Sequence, residues 1–245
     1  MKQINVVTPG EWRAARCELL AQEKEFTRAR DALSAARRAL PAVRLDKHYT
    51  FDGPTGQVSL LDLFEDARQL IVYHFMFEPG WDEGCPSCSY FADNVTGALV
   101  HLAARDTAFA VISRAPFGAI DAFRLRMGWE FPWVSSHETD FNYDFAVTLD
   151  ESRDANTYNF TDARALKEQG RLWMDELPGL SVFLRESDDV FHTYSTYSRG
   201  LDLLINTYNY LDLTPLGRQE DGLPWSMAWV RHHDRYDECS EPATA

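Results

Sequence analysis

Two cysteines lie three residues apart in the segment EGCPSC, residues 83–88, directly after a strongly apolar run. A pair with this spacing can be a redox couple, half of a metal site, or two neighbouring core residues. The pattern places Cys85 where a buried strand meets the start of a helix. Unpaired backbone N–H groups and the positive end of the helix dipole lower the pKa of a thiol there. Cys85 is therefore the predicted attacking thiol.

The residues around Cys85 bear on the same chemistry. Pro86 suits a first helical turn, and the spacing brings Cys88 round to the same helix end, within reach of an intramolecular disulfide. We predict that Cys88 resolves the mixed disulfide formed by Cys85. Asp82 and Glu83 add negative charge beside Cys85, which raises a thiol pKa unless these side chains point away. The sequence leaves that balance open.

The elements that position the pair can be predicted from hydrophobic patterns. QLIVYHFMF, residues 69–77, and AFAVISR, residues 108–114, have the length and continuous apolar character of strands buried on both faces. Between them a helix is expected, since apolar residues recur at steps of four, four and three. These residues are Phe91, Val95, Leu99 and Leu102. Strand, helix and strand form a right-handed crossover unit, with the cysteines at the end of the first strand.

The flanking segments complete an α/β organisation. Residues 47–58 predict two short strands, and SLLDLF from Ser59 a short helix. Residues 118–127 predict a helix and FPWVSS a short strand, while residues 136–165 have no firm period and are interpreted as an insertion. LSVFLRE and VFHTYSTY predict an antiparallel hairpin, and SRGLDLLINTYNYL a helix. The expected domain runs over 42–214, between an N-terminal helical extension, 1–41, and an irregular tail, 215–245.

The N-terminal extension has its own signals. Thr8, Pro9 and Glu11 form a predicted helix start with a capping box, and Pro41 ends the pattern. The helix either packs on its own domain or contacts a second subunit, which makes a homodimer one of the expected states. The apolar stripe consists of Trp12, Ala15, Leu19, Phe26, Ala29, Leu33, Ala36 and Leu40.

Composition narrows the classes of function. The chain has 245 residues and a formal net charge of −14, which argues against nucleic acid or an anionic membrane surface as the main partner. No signal-peptide core and no long apolar run are present, so a cytoplasmic location is predicted. Four cysteines are too few for a disulfide scaffold. No glycine-rich dinucleotide fingerprint follows a strand, so no organic cofactor is expected.

Several motifs together resemble a known family. The strand-to-helix CPSC and the later hairpin and helix resemble the thioredoxin superfamily in its alkyl hydroperoxide reductase and thiol-specific antioxidant branch. More narrowly, YHFMFEPGWDEGCPSCSYF, TYSTYSRGLD and YLDLTPLGRQE resemble a bacterial family of unknown function described as predicted dithiol-disulfide oxidoreductases. The resemblance covers nearly the whole chain and implies a thioredoxin-like fold, with βαβ and ββα halves around a mixed sheet. It also implies a protein or small-molecule disulfide as substrate and a thiol reductant.

The chain departs from that superfamily at several positions. Trp81 lies four residues before Cys85, whereas thioredoxins have tryptophan directly before the first cysteine; a supporting role for Trp81, by stacking beside the thiols, is one expectation. Glu78 and Asp82 occupy the positions at which peroxiredoxins carry proline and threonine, so thiol peroxidase activity is a weaker alternative. Pro178 precedes the third core strand, where the superfamily has a cis-proline facing the disulfide, although the register also allows Leu180 or Ser181 there.

Other residues have competing interpretations. Arg199 could approach the thiols and support a thiolate, and a structural role is the alternative. His74 lies mid-strand, as a core histidine would. A zinc site needs four ligands, and His232, His233 and Cys239 could join the pair only if the tail folded back, so no metal is predicted. A thiol-dependent metal carrier and a redox-silent protein-binding scaffold remain alternatives. Cys17 and Cys239 are interpreted as incidental.

Overall fold

The computed structural model describes residues 4–153 and 156–236. The chain divides into two units, Met1–Ala42 and Val43–Ala245. The first unit contains helix α1, Pro9–Arg38, which confirms the predicted long helix. Thr8 and Glu11 form the capping box, with the Thr8 backbone N–H donating to Glu11 Oε2 at 2.9 Å. The structure describes all of α1, and none of its side chains is buried.

The second unit is built on an eight-stranded mixed sheet with helices between its strands. The described residues of this unit form ten strands. They are β1 Val43–Arg44, β2 Thr50–Gly53, β3 Gly56–Ser59, β4 Gln69–His74, β5 Thr107–Ser113, β6 Trp133–Ser135, β7 Thr157–Tyr158, β8 Thr161–Asp162, β9 Gly179–Glu186 and β10 Asp189–Tyr197. All but β7 and β8 belong to this sheet. The helices are α2 Pro86–Ala92, α3 Leu99–Ala103, α4 Phe117–Arg126, α5 Phe141–Asp144, α6 Ala163–Glu168 and α7 Asn206–Leu211. The sheet order is β1-β10-β9-β4-β5-β6-β2-β3, and β7 and β8 form a separate pair.

The centre of this sheet has the connectivity of a thioredoxin-like fold. β4 and β5 are parallel, with Val72 opposite Ala110, and α2 and α3 lie between them in sequence. β9 is antiparallel to β4, and β10 to β9, so the second half of the chain supplies the hairpin and the helix that follows it. The βαβ and ββα halves are both present, and the predicted fold class is confirmed.

Burial of β4 explains its continuous apolar sequence. Tyr73, Phe75 and Phe77 pack in the aromatic cluster that includes α2, while Leu70 and Val72 pack in a second cluster with Phe51 and Phe141. Each face of the sheet thus has its own hydrophobic core, and the burial of apolar area on both faces stabilises the strand.

Two predicted helices are interrupted in the structure. The predicted single face from Phe91 to Leu102 is wrong, because α2 ends at Ala92 and a 3-10 turn at Thr96–Ala98 precedes α3. Asn94 accounts for the break, since its side-chain amide donates to Tyr90 O at 2.6 Å and competes with the helical backbone pattern. SRGLDLLINTYNYL likewise splits into a 3-10 segment, Ser198–Leu204, and α7, with an extended backbone at Ile205.

The remaining parts contain little regular structure. The stretch between β6 and β9 contains α5, the short β7–β8 pair and α6. Beyond α7, the only regular element among the described residues is the 3-10 turn His233–Arg235. Residues 225–236, called here the C-terminal segment, nevertheless pack on the domain, since Val230 and His232 are buried. Among the described residues, no helix is long and apolar enough to span a membrane.

Candidate functional site

Backbone hydrogen bonds fix Cys85 at the start of α2. Its N–H donates to Met76 O at 3.1 Å, and its carbonyl accepts from the N–H of Ser89 at 2.9 Å. Pro86 is the first residue of the helix, as predicted. Gly84 passes between two buried rings, where an added Cβ would lie 2.6 Å from Phe75 and 2.8 Å from Phe123. Only glycine fits this close approach without displacement of the rings.

The two thiols have different surroundings. Cys85 is half-buried and lies just before α2, whereas Cys88 is buried one turn later. A hydrogen bond with the Cys88 thiol lowers the pKa of Cys85 to about 7, with help from the N–H groups of Cys88 and Ser87 and against the effect of burial. Such a group is substantially thiolate near neutral pH and therefore nucleophilic.

Cys88 is held in the thiol form. Burial raises the pKa of Cys88 well above its ordinary value, and hydrogen bonds from Tyr73 and from the Met76 N–H offset only part of this effect. The Met76 N–H lies 3.5 Å from Cys88 Sγ. Tyr73 is itself buried and stacks on Phe91 at 3.9 Å between ring centroids, which fixes the phenol beside the thiol.

The negative charge that the sequence places next to Cys85 has partners. Glu83 Oε1 accepts from Arg126 at 2.8 Å, and Glu83 Oε2 accepts from Arg235 at 3.0 Å. His232 Nδ1 lies 3.3 Å from Glu83 Oε2, and His232 Nε2 donates to Gly84 O at 2.8 Å. Asp82 is exposed. The Glu83 carboxylate is therefore compensated by cations, so its effect on the neighbouring thiol is weakened.

A cavity of about 1060 Å³ opens beside both thiols. Its lining is mainly apolar and comes from α2, from residues 171–178, from the 3-10 segment with α7, and from residues 218–227. Pro178, directly before β9, lines it together with Cys85 and Cys88. No cis peptide bond occurs in the part of the chain that the structure describes. Of the three candidates for the position facing the thiols, Pro178 is the one that lines the cavity.

Ser181 lies elsewhere, in a buried polar chain. Its hydroxyl is 2.9 Å from His74 Nε2 and 2.8 Å from Ser195 Oγ, and Ser195 in turn contacts His192 Nε2 at 2.8 Å. Burial lowers the pKa of His74 to about 3. His74 contacts Phe141 and Phe145, on the side of the sheet away from α2. It is thus a core histidine held by hydrogen bonding.

The two supporting residues predicted from the sequence differ in placement. Trp81 is half-buried and lines a smaller cavity of about 300 Å³ with Cys85 and His232. Arg199 lines the large cavity, but its side chain is 85% exposed and pairs with Asp202 at 3.0 Å. The fold thus brings Cys85, Cys88, Pro86 and Trp81 together, while the guanidinium of Arg199 pairs with the carboxylate of Asp202.

The C-terminal segment folds back on the cysteine-bearing helix, although its histidines do not form a metal site with the thiols. His232 contacts Gly84 O and Glu83, and His233 Nδ1 lies 2.8 Å from Asp93 Oδ1. No group of three or more His, Cys, Asp or Glu side chains suited to a metal occurs within residues 4–153 and 156–236. Cys239 lies outside the described residues, and Cys17 is exposed on α1.

Sequence reasoning missed Tyr73 and the partners of Glu83. Tyr73 could have been found, because it alternates with Phe75 and Phe77 on the α2 side of the strand pattern. Arg126, His232 and Arg235 gave no such signal, since they are 41 or more residues from Cys85 in the chain and only folding brings them to Glu83.

Comparison with known proteins gives distant structural likenesses. PrxQ of Xylella fastidiosa is 11% identical with a TM-score of 0.45, covering 69% of this chain and 94% of that chain. Peroxidoxin BcpB of Mycobacterium tuberculosis is 15% identical with a TM-score of 0.42, covering 70% and 97%. A secreted M. tuberculosis disulfide oxidoreductase homologous to E. coli DsbE is 14% identical with a TM-score of 0.35, covering 64% and 92%.

No curated protein matches the chain. The assignment of the fold rests on the strand order and connectivity described above. The family model of a bacterial protein of unknown function, DUF899, matches residues 1–236. The chain is therefore a member of the DUF899 family, with a thioredoxin-like fold.

Proposed function

We propose that this protein catalyses dithiol–disulfide exchange at Cys85 and Cys88. One observation carries the proposal: the two thiols share a cavity, and their surroundings move their pKa values in opposite directions. The thiol with the lowered pKa is half-buried, and the thiol with the raised pKa is buried. This difference supports attack by Cys85 and resolution by Cys88.

In the proposed reaction the Cys85 thiolate attacks one sulfur of a substrate disulfide. A bond forms between Cys85 Sγ and that sulfur, the substrate S–S bond breaks, and one thiolate leaves. Cys88 then loses its proton and attacks Cys85 Sγ, which forms the Cys85–Cys88 disulfide and releases the second substrate thiolate. Two electrons pass from the protein to the substrate, and a thiol reductant returns them.

The proposed resolving step needs a way to deprotonate Cys88. Burial disfavours the Cys88 thiolate, and the negative charge of the Cys85 thiolate disfavours it further. Once Cys85 is bonded to the substrate that charge is gone, and the Tyr73 hydroxyl and the Met76 N–H remain as donors for a thiolate at Cys88. The order of the two steps then follows from electrostatics.

The test is an equilibrium redox titration of the full chain in glutathione or dithiothreitol buffers. The mass of the peptide that contains Cys85 and Cys88 should change reversibly, by the loss of two hydrogens, around one midpoint potential. Cys88→Ser should accumulate a mixed disulfide with a substrate thiol, whereas Cys85→Ser should not. A pair that shows no reversible transition would rule out the exchange reaction.

The same samples separate the alternatives. Consumption of a hydroperoxide that depends on Cys85 alone would favour a peroxidase, and stoichiometric metal on the two thiols would favour a carrier. A Cys85→Ser/Cys88→Ser protein that retains its cellular role would favour the redox-silent scaffold.

A further inference from the structure

The cavity beside the thiols has the dimensions of a small-molecule site. It measures about 1060 Å³ and includes Cys85 and Cys88 in its wall. Ligand cavities in proteins range from about 300 to about 1,000 Å³. A protein partner instead needs an accessible patch of about 800 Å² on each side. Cys85 is half-buried within this enclosure, so a compact molecule fits the site better than a folded surface does.

Segments outside the central βαβ and ββα units build much of the enclosure. Leu172, Met174 and Leu177 come from the chain that leads into β9. Met227 comes from the C-terminal segment. These side chains face the same space as the thiols. The cavity, called here the chamber, is therefore a pocket that is open to solvent on one side and has a mainly apolar lining.

The charged side chains that line the chamber largely neutralise one another. Arg218 pairs with Asp212 at 2.7 Å and with Asp202 at 3.1 Å, and Asp202 also pairs with Arg199. Glu220 accepts from Tyr208 at 2.6 Å, from Trp229 at 2.8 Å and from the Met227 N–H. Arg171 is exposed, and its guanidinium donates to Gln169 Oε1 at 3.3 Å. Apart from the Cys85 thiolate, the lining contains three arginines and three acidic residues, whose formal charges cancel.

From this geometry we infer that the substrate is an uncharged disulfide of low molecular weight. It carries an apolar substituent of about the size of an aromatic ring. The chamber supplies apolar contacts to the body and offers an ionic ligand few unpaired charges, so burial of apolar area drives binding. The inference rests on the proposed exchange reaction and adds its substrate class. The disulfide is reduced to two thiols while Cys85 and Cys88 are oxidised to their disulfide, and dithiothreitol restores them in the assay.

A matched set of disulfides tests the inference. Dithiodipropionic acid, its bis(N-methylamide) and its bis(N-benzylamide) have the reacting sulfur atoms in the same aliphatic chain. We expect a KM for the benzylamide at least about tenfold below that of the methylamide, because burial of each ring removes its apolar area from water. The acid should bind no better than the methylamide. Equal KM values for the two amides, or tightest binding of the acid, would overturn the inference.

A binding measurement keeps this test separate from the exchange reaction. Cys85→Ser/Cys88→Ser protein cannot exchange disulfides, and calorimetry should still show preferential binding of the benzylamide over the methylamide. If native protein reduces neither amide while this variant shows the preference, the exchange reaction fails and the ligand class stands. If native protein reduces both amides with one KM and the variant shows no preference, the ligand class fails alone.

Two wall variants place the ligand. Trp173→Ala changes a side chain that lines the chamber and is 74% exposed. Met174→Gln changes a second lining residue, which is half-buried. Each should weaken benzylamide binding several-fold with little change for the methylamide. Trp12→Ala is the matched control, because Trp12 lies on α1 and is 62% exposed. A benzylamide preference that survives in both wall variants would mean that the ligand binds elsewhere, which overturns the inference.

Discussion

Cys85 and Cys88 are the same residue type with opposite acid–base behaviour. The difference comes from their neighbours, since Cys85 accepts hydrogen bonds at the start of α2 and Cys88 is surrounded by Tyr73, Met76 and the aromatic core. The hydrogen bond between the thiols is the largest cause of the lowered pKa of Cys85. The asymmetry is therefore a property of the pair.

Replacement of Cys88 tests this coupling. In Cys88→Ala the donor to Cys85 is lost, and we expect the pKa of Cys85 to rise from about 7 toward its ordinary value. Alkylation by iodoacetamide, followed across pH in the peptide that contains Cys85, should show the midpoint move upward. The rate near neutral pH should fall several-fold.

Cys17→Ala provides the control for that measurement. Cys17 is an exposed thiol on α1, so its removal should leave the alkylation profile of Cys85 unchanged. A Cys88→Ala protein with the native midpoint would show that the backbone N–H groups alone set the pKa of Cys85.

At the scale of elements, the C-terminal segment places charged side chains beside the start of the cysteine-bearing helix. Arg235 and, from α4, Arg126 donate to Glu83, and His232 donates to the carbonyl of Gly84. Asp234 in turn accepts from Arg126 at 2.8 Å. The segment and α4 thus hold Glu83 in a network of opposite charges, two residues before Cys85 in the chain.

Arg235→Ala removes one of the two guanidinium groups that neutralise Glu83. The carboxylate then repels the Cys85 thiolate more strongly, and we expect the pKa of Cys85 to rise. The measurement is again the pH profile of alkylation. Adding Glu83→Gln to Arg235→Ala should restore the native midpoint, because the repelling charge is then absent.

The matched control for this prediction is Arg231→Ala. Arg231 belongs to the same segment, but its guanidinium donates to the carbonyls of Ala228 and Val230 and not to Glu83. A midpoint that moves equally in Arg231→Ala and Arg235→Ala, or that Glu83→Gln does not restore, would mean that packing of the segment and not charge controls the thiol.

At the scale of the whole molecule, one buried carboxyl joins several distant elements. Glu176 accepts from Arg114 at 3.0 Å, from Thr148 at 2.9 Å and from Asn142 at 3.3 Å. Burial raises the pKa of Glu176 to about 7 from an ordinary value of 4.5, although Arg114 opposes this effect. The folded protein therefore retains a proton that the unfolded chain has lost between these two pH values.

Stability should fall as pH rises through that interval. Because the folded state binds the extra proton, the contribution is fully present below the unfolded pKa and is lost toward the folded pKa. The free energy of unfolding should decrease by about 2 kcal/mol between about pH 5 and about pH 7 relative to Glu176→Gln. Urea unfolding of both proteins at the two pH values measures the difference.

Glu186→Gln serves as the comparison for this measurement, because Glu186 is exposed at the end of β9. Its stability should follow that of the native protein at both pH values. Parallel pH dependence of the native and Glu176→Gln proteins would show that Glu176 is not protonated in the folded state.

We propose that two copies of the chain associate through the apolar stripe of helix α1. Trp12, Leu19, Phe26 and Leu33 recur every seven residues, and each is about half exposed or more. Residues 9–23 contain three acidic and two basic side chains, and residues 24–38 contain two acidic and five basic ones. An antiparallel pair of α1 helices would bring the opposite charges together.

Phe26→Glu tests this pairing. The substitution puts a charge into the centre of the apolar stripe, so we expect a dimer of the native protein to become a monomer in sedimentation analysis. Leu125→Glu, at an exposed apolar position on α4, should leave the mass unchanged. A native protein that is monomeric at high concentration would contradict the proposal.

The sequence by itself determined the central fold and the position of the thiols. Continuous apolar runs predict β4 and β5, because both faces of a buried strand pack against apolar side chains. CPSC predicts the start of α2, because the fixed φ of proline suits the first position of a helix. These signals are local and periodic. The helix breaks at Asn94 and Ile205 were not predicted, since they depend on side-chain and backbone hydrogen bonding that hydrophobic periodicity does not encode.

Only the tertiary structure decided the electrostatics of the site and the form of its cavity. The effect of Glu83 on Cys85 depends on Arg126, Arg235 and His232, which no spacing in the chain connects to it. The chamber beside the thiols likewise needs residues 171–178 and 218–227, whose sequences have no helical or strand period. Charge compensation and enclosure act over a few ångströms in space, so they become defined only when distant segments have packed.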